Sequence, residues 1–118
     1  MEWQSPIRCR IAYFRYPNIF FMYTMAVHGG AGTIARHLLN LEKQQQYEVG
    51  LQAALDAGFS ILQKGGTALD AVTAAVVSLE DCPLFNAGKG SVFNHEGYHE
   101  MDASLMRGDN REAGAVAG

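Results

Sequence analysis

The chain has 118 residues, 48% of them hydrophobic, and a formal net charge of −3. This length suits a single small domain, and the apolar fraction excludes a disordered chain. The weak negative charge excludes a basic surface for nucleic acid as the basis of function. The two cysteines, Cys9 and Cys82, form no CxxC pair. They predict reduced thiols in a cytoplasmic protein.

The first 24 residues combine three arginines with the apolar run 19–22, which faintly resembles a signal peptide. This run is too short and too aromatic for that role, and no small-residue cleavage site follows it. It is also far shorter than the roughly 20 residues that span a bilayer. We therefore expect a buried strand at residues 19–27, with neither a targeting segment nor a membrane contact.

The first glycine cluster follows this strand directly. Residues 28–32 read HGGAG, with three glycines in four positions. Such glycines permit backbone conformations closed to other residues, or the close approach of another group. The segment is therefore a candidate for a sharp turn at a functional site.

A helix is predicted from Leu41 onward, because apolar residues recur there at spacings of three and four. The glycine pair 65–66 should end it, since glycine is favoured just past a helix C-terminus. Its predicted buried face comprises Leu51, Leu55, Phe59 and Leu62.

A second helix should begin directly after Thr67, its predicted N-cap, with Asp70 completing a variant of the capping box. It must end before Pro83, because the residue before a proline is driven toward extended geometry. A stripe of small residues should pack closely against a neighbouring layer and comprises Ala68, Val72, Ala75, Val76 and Leu79.

The remainder of the chain alternates turns with short extended segments. In chain order we predict a loop at 79–90, a strand at 91–93, a hairpin turn at 94–97, a strand at 98–106, a turn at 107–110 and a strand beginning within 113–118. The whole pattern predicts the α/β (α+β) class. It also predicts the front part of a larger layered structure, because nothing in the pattern covers the second face of the sheet.

Residues 79–94 (LEDCPLFNAGKGSVFN) admit three interpretations: a phosphate loop, a metal loop or a plain turn. A P-loop would need glycine where Pro83 stands and Ser or Thr where Gly90 stands, so a nucleotide site is excluded. Main-chain carbonyls of a tight turn can instead hold a hard cation, with Glu80 and Asp81 adding negative potential. On the residues alone, a turn that satisfies its own hydrogen bonds is favoured.

Side-chain chemistry gives little else. The candidate metal ligands lack the paired spacing of a zinc site. His99 is interpreted as an ordinary strand residue. No catalytic nucleophile can be identified from local motifs. The scattered candidate ligands are His28, His95, His99, Cys9 and Cys82.

Five motifs together resemble the N-terminal region of the plant-type L-asparaginases, also called isoaspartyl peptidases, which are threonine N-terminal-nucleophile hydrolases. The resemblance covers residues 25–118, and PLFNAG combined with EMDAS is its most specific part. The motifs are HGGAGT at 28–33, GGTALDAV at 65–72, LEDCPLFNAGKGSVF at 79–93, EMDAS at 100–104 and AGAVAG at 113–118.

The resemblance implies a four-layer αββα sandwich, incomplete in this chain, made as a precursor that cleaves itself into an α and a β chain. The freed N-terminal threonine attacks the amide with its hydroxyl and uses its own α-amino group as the base. The implied substrates are L-asparagine and β-aspartyl (isoaspartyl) dipeptides, with no organic cofactor. The implied partner is the β chain of the same precursor, in an (αβ)2 dimer.

The resemblance also assigns site residues. A monovalent cation, sodium or potassium, is implied at the main-chain carbonyls of Leu79, Glu80, Cys82, Phe85, Ala87 and Lys89. Residues implied to support the active site are His28, Gly29, Gly30 and Gly32 near the scissile junction, Asn86 on its lining, and Asp102 as a buried carboxylate.

The family's nucleophile segment, Gly-Thr-Val-Gly-Ala-Val-Ala, does not occur among these residues. We therefore expect the chain to be inactive by itself. Residues 1–21 are interpreted as a non-family extension and 22–118 as the N-terminal part of the α chain. Two alternatives stay open: a glycosylasparaginase-like member of the superfamily, and a non-catalytic interaction module that keeps half of the fold.

Overall fold

The computed structural model describes residues 7–16, 19–30 and 40–118, with side chains from residue 22 onward. Helices and antiparallel strands are mixed in this part of the chain, which confirms the α+β class. The elements are β1 (Ile7–Tyr16), β2 (Ile19–His28), α1 (Leu41–Gln63), α2 (Ala68–Asp81), a 3₁₀ turn (Gly88–Gly90), β3 (Ala103–Met106) and β4 (Ala113–Val116).

Strands β1 and β2 form an antiparallel hairpin, in register from the Ile7–His28 pair to the Tyr16–Ile19 pair. The strand predicted at 19–27 is confirmed and extends by one residue. On β2, Met25 and Val27 are buried while the intervening Ala26 is exposed. One face of β2 therefore points toward α1, as the alternation of side chains along a strand requires.

Helix α1 begins and ends as its sequence predicts. The Asn40 side chain accepts a hydrogen bond from the Lys43 amide at 2.8 Å, which caps the N-terminus. Gly65 has φ +80°, and the Gly66 amide donates to the Ile61 carbonyl at 2.9 Å, a Schellman ending. The predicted buried face is confirmed by its four members, Leu51, Leu55, Phe59 and Leu62.

Helix α2 has the predicted cap. The Asp70 amide donates to the Thr67 hydroxyl at 3.1 Å, and that hydroxyl lies 2.7 Å from the Asp70 carboxylate. The helix ends at Asp81, before Pro83, as predicted.

The predicted packing stripe of α2 is wrong at most of its positions. Ala71 and Ala75 are buried, whereas Val72 and Val76 are 41% and 49% exposed. A Cβ added at Gly58 of α1 would lie 2.5 Å from the Ala71 carbonyl oxygen. The two helices therefore approach so closely that alanine, rather than valine, occupies the contact.

Residues 91–102 contain no strand, so the strand predicted at 91–93 is wrong and the one predicted at 98–106 is correct only for Ala103–Met106. The physical reason is the Asn94 side chain, which accepts hydrogen bonds from the amides of Glu96 and Tyr98, both at 2.9 Å. These bonds fold the segment into a compact turn in place of an extended ladder.

The C-terminal hairpin pairs β3 with β4 in antiparallel register, and the turn predicted at 107–110 and the strand predicted after it are confirmed. Every residue of both strands is exposed. Within the described ranges, no helix is both long and apolar enough to cross a membrane.

Candidate functional site

The candidate site is built around residues 79–90, here called the glycine loop, which begins in the last turn of α2 and ends with the 3₁₀ turn. Four of its six predicted carbonyl ligands accept a backbone hydrogen bond. The Leu79, Cys82, Phe85 and Ala87 oxygens accept from the Cys82, Phe85, Ala87 and Gly90 amides at 3.2, 3.4, 2.9 and 3.0 Å. A carbonyl oxygen has two lone pairs, so each keeps capacity for a second partner.

Carbonyl groups crowd against the two glycines of the 3₁₀ turn. A Cβ added at Gly90 would overlap the Phe85 carbonyl oxygen and lie 2.7 Å from the Pro83 carbonyl oxygen. At Gly88, whose φ is +52°, it would overlap the Glu80 carbonyl oxygen. Only glycine fits at these positions, because any side chain would collide with main-chain carbonyl groups.

Charges at the glycine loop are exposed and partly compensated. The Lys89 ammonium lies 2.8 Å from the Asp81 carboxylate, with side chains 67% and 61% exposed. Such an exposed pair contributes at most about 1 kcal/mol. It ties the far side of the loop to the end of α2. With Glu80 counted, one net negative charge remains at the loop.

Phe85 anchors the glycine loop to the rest of the described chain. Its side chain is only 6% exposed. A Cβ added at Gly29 would lie 2.9 Å from the Phe85 ring, and one added at Gly50 would lie 3.0 Å from it. The Tyr47 ring meets it edge-on with the centroids 5.8 Å apart. Phe85 thereby brings the glycine loop to the end of β2, where the first group of predicted site residues begins.

That first group is a short turn after β2. His28 is exposed, and its Nδ1 accepts a hydrogen bond from the Gly30 amide at 3.1 Å. Gly30 has φ +100°, a conformation that favours glycine. Gly32 lies outside the described residues. The structure therefore places Gly29 against the Phe85 ring of the glycine loop, with His28 and Gly30 as its exposed neighbours in the chain.

The two remaining predicted site residues are less closely joined to this centre. Asn86 is exposed, and its side-chain oxygen accepts a hydrogen bond from the Val92 amide at 2.9 Å, so it fastens the chain that leaves the loop. Asp102 is implied to be buried, yet it is exposed in this structure, because the faces of the β3–β4 hairpin beside it are uncovered.

Side chains of the described ranges do not gather three potential metal ligands of the His, Cys, Asp or Glu type. Cys82 carries a free, half-buried thiol, and the Cys9 side chain lies outside the described residues. A cation at the glycine loop would therefore rest on main-chain oxygens, the ligands that hard cations prefer. The Glu80 and Phe85 carbonyl oxygens beside Gly88 and Gly90 are of the donor type that such a cation would need.

Sequence reasoning missed two features near the site. It assigned only the carbonyl of Phe85, although one aromatic residue within a loop of small and polar residues signals an anchor. It also interpreted His99 as an ordinary strand residue. The structure instead places the His99 Nδ1 3.0 Å from the Ser91 hydroxyl and stacks its ring on Phe93, with centroids 4.2 Å apart.

Comparison with known families decides the assignment. A family model described as Asparaginase matches residues 21–118. The chain belongs to the asparaginase family. The match includes the glycine loop, the end of β2 and both hairpin strands β3 and β4.

Several curated members of the family are close in sequence. The chain is 49% identical over 94 residues to the isoaspartyl peptidase of Escherichia coli (strain K12), covering 80% of this chain and 29% of that protein. It is 50% identical over 97 residues to the plant-type L-asparaginase of Pyrococcus abyssi, covering 82% and 30%. It is 45% identical over 93 residues to the isoaspartyl peptidase/L-asparaginase of Danio rerio, covering 79% and 28%. The chain thus spans less than a third of the length of these relatives.

Proposed function

We propose that this chain is the N-terminal, α-chain part of an amide hydrolase that acts on L-asparagine and on isoaspartyl dipeptides. The names of its relatives, isoaspartyl peptidase and plant-type L-asparaginase, support this substrate class. The observation that carries the proposal is the docking of Phe85 against Gly29. It joins the two segments that the family resemblance places at the reacting centre.

In this proposal the glycine loop holds sodium or potassium on the carbonyls of Leu79, Glu80, Cys82, Phe85, Ala87 and Lys89. The ion supplies positive charge that holds several carbonyl dipoles in one orientation. The chain's own residues keep the loop against the His28–Gly30 turn through Phe85 and fasten its exit through Asn86. Only in the assembled hydrolase does Asn86 line the active site and Asp102 become a buried structural carboxylate beside it.

The proposal extends to the whole enzyme. A β chain released by autocleavage supplies the threonine nucleophile, whose α-amino group accepts the hydroxyl proton as the amide is attacked. The α and β chains share a four-layer αββα sandwich and assemble as (αβ)2 in the cytoplasm. This partner also provides the layers that would cover Asp102.

Hydrolysis is tested with the purified 118-residue chain, with the Escherichia coli isoaspartyl peptidase as the positive control. We expect no ammonia from L-asparagine and no cleavage of an isoaspartyl dipeptide, because the nucleophile belongs to the β chain. Steady turnover that persists after repurification of the chain, and that is absent from a mock preparation without it, would refute the assignment of the nucleophile to the β chain.

The cation site is tested by thermal unfolding in sodium, potassium and lithium chloride at equal ionic strength. Sodium or potassium at about tenfold above its Kd should stabilise the chain by about 1.4 kcal/mol, roughly 5 °C in Tm. Gly90→Ala should abolish this increment, because the added methyl overlaps the Phe85 carbonyl oxygen. The matched control is Gly108→Ala, where a Cβ meets nothing within 4 Å. Identical melting of the wild-type chain in all three salts would contradict the assignment.

A non-catalytic interaction module is the second candidate, and one observation favours it. The β3–β4 hairpin exposes all of its residues, including Leu105, Met106 and Val116, and two-stranded ribbons are rarely stable without further pairing. A stable monomer with sharp amide dispersion across β3 and β4 would support the module. Broad or missing signals confined to the hairpin would support a hydrolase part that needs its partner chain.

A further inference from the structure

We propose that His99 is a positioning residue for the glycine loop: it holds Ser91, the first residue after the loop, and thereby helps to fix the Ala87 carbonyl, one of the proposed cation ligands. The inference rests on the cation site of the proposed function. It goes beyond that site by assigning a role to a side chain that is not itself a ligand of the proposed cation.

Two contacts fix the His99 ring. Its Nδ1 lies 3.0 Å from the Ser91 hydroxyl, and its ring stacks on Phe93 with the centroids 4.2 Å apart and the planes inclined by 33°. Ser91 is half-buried, whereas His99 and Phe93 are exposed. A hydrogen bond and a ring contact together restrain both χ angles of the imidazole, so the ring can hold Ser91 in one place.

The Asn94 turn brings His99 back to Ser91. The Asn94 amide donates to the Tyr98 carbonyl at 2.7 Å, and the Asn94 side-chain oxygen accepts from the Glu96 and Tyr98 amides at 2.9 Å. This network closes the chain on itself between the glycine loop and the strand that follows. The three hydrogen bonds of the Asn94 turn therefore bring His99 close to Ser91.

Three further hydrogen bonds connect residues 90–92 with residues 86–88 of the glycine loop. The Gly90 amide donates to the Ala87 carbonyl at 3.0 Å, and the Ser91 amide donates to the Gly88 carbonyl at 3.1 Å. The Val92 amide donates to the Asn86 side chain at 2.9 Å. Because these donors are consecutive, restraining Ser91 restrains the orientation of the Ala87 and Gly88 peptide groups.

A nucleophilic role for this serine and histidine is not supported. Among the described residues, no carboxylate contacts the His99 ring, and the ring is exposed. A catalytic serine needs a base that a third group orients and donors for the oxyanion. The contact is therefore assigned to positioning.

The inference is tested by amide hydrogen exchange on the full 118-residue chain. His99→Ala and Ser91→Ala should each speed exchange at the Gly90, Ser91 and Val92 amides by about 3- to 10-fold, as expected for one lost hydrogen bond. His95→Ala is the matched control, because His95 is an exposed histidine of the same turn. It should leave these three rates unchanged, and exchange within the buried part of α1 should not change in any variant.

Conservative replacement separates positioning from bulk structure. In His99→Asn the side-chain amide can take the place of Nδ1 while the ring is lost, so part of the protection should return. This variant and Ser91→Ala keep the inference testable if His99→Ala does not fold. Equal exchange at the three amides in the His99→Ala, Ser91→Ala and His95→Ala variants would overturn the positioning role.

A second readout is the sodium dependence of Tm. His99→Ala should weaken sodium binding by about 3- to 10-fold, measured as a shift of the sodium concentration that gives half of the stabilisation. Faster exchange with unchanged sodium binding would overturn the link to the Ala87 carbonyl as a cation ligand. If the Tm of the wild-type chain does not depend on sodium, the cation assignment itself fails. The hydrogen-exchange comparison then still decides whether His99 orders the loop.

Discussion

Phe85→Ala tests the contact on which the candidate site depends. The wild-type ring is 6% exposed and fills the space between Gly29, Gly50 and Tyr47. A phenylalanine buries roughly 200 Å², which at about 25 cal/mol per Å² corresponds to about 5 kcal/mol. Residual burial in the unfolded chain and relaxation of the loop lower this value. We expect a loss of about 3 kcal/mol in the free energy of unfolding, the lower end of the range for phenylalanine truncations.

The assay is urea unfolding of the 118-residue chain followed by far-UV circular dichroism, with midpoint and slope both fitted. Tyr98→Ala is the control, because it removes an aromatic ring that is 67% exposed. It should change the free energy of unfolding by no more than about 0.5 kcal/mol. Phe85→Leu keeps most of the apolar volume and should cost about 1.5 kcal/mol, which remains measurable if the alanine variant unfolds.

Equal losses in Phe85→Ala and Tyr98→Ala would refute the reasoning. The ring would then not be the anchor, and the meeting of the glycine loop with the end of β2 would lose its physical basis. A loss in Phe85→Ala together with an unchanged effect of sodium on Tm would keep Phe85 as the anchor, but would show that the anchor does not support the proposed cation site.

Further predictions concern packing, capping and charge. Gly58→Ala should lower the free energy of unfolding by about 2 kcal/mol, because the methyl overlaps the groups facing it, whereas Gly114→Ala, with open space around it, should change it by less than about 0.5 kcal/mol. Thr67→Ala should cost about 1 kcal/mol in the same urea assay and Thr67→Ser almost nothing, since serine keeps the capping oxygen. The hydrogen bonds from Arg107 hold the pKa of Asp109 below its ordinary value of 3.8. Stability from this pair is therefore present above the unfolded pKa and is lost as pH falls through the folded pKa. An NMR titration should show the pKa rising toward 3.8 in Arg107→Ala, and an unchanged pKa would contradict the pairing.

The helices could be predicted because their signals are local. The spacing of Leu51, Leu55 and Phe59 defines one face, and Thr67 and Gly65 mark the ends through their own side chain or backbone. None of these features depends on a distant part of the chain. The same holds for the turn at 107–110.

The packing face of α2 could not be predicted from hydrophobicity. Ala71 and Val72 are neighbours about 100° apart around the helix, and hydrophobicity favours the valine. The close approach of α1 at Gly58 instead selects the smaller side chain. That selection depends on the partner helix, which the residues of α2 do not encode.

The glycine loop could be predicted from the sequence only in part. Local residues identify a tight turn, but main-chain carbonyls carry no residue identity, so the proposed ligands came from family resemblance alone. The strand predicted at 91–93 failed because the Asn94 side chain hydrogen-bonds the chain into a turn. The roles of Phe85 and His99 depend on contacts that close only after the chain has folded back.

The contact between Phe85 and Gly29 also bears on the order of folding. The β1–β2 hairpin and the α1–α2 pair each join neighbours in the chain and can form quickly, whereas Phe85 reaches back across both helices to the end of β2. We predict that its docking follows the transition state. The Phe85→Ala substitution should therefore raise the unfolding rate and leave the refolding rate nearly unchanged. On this prediction, the glycine loop docks last during folding and is released first during unfolding.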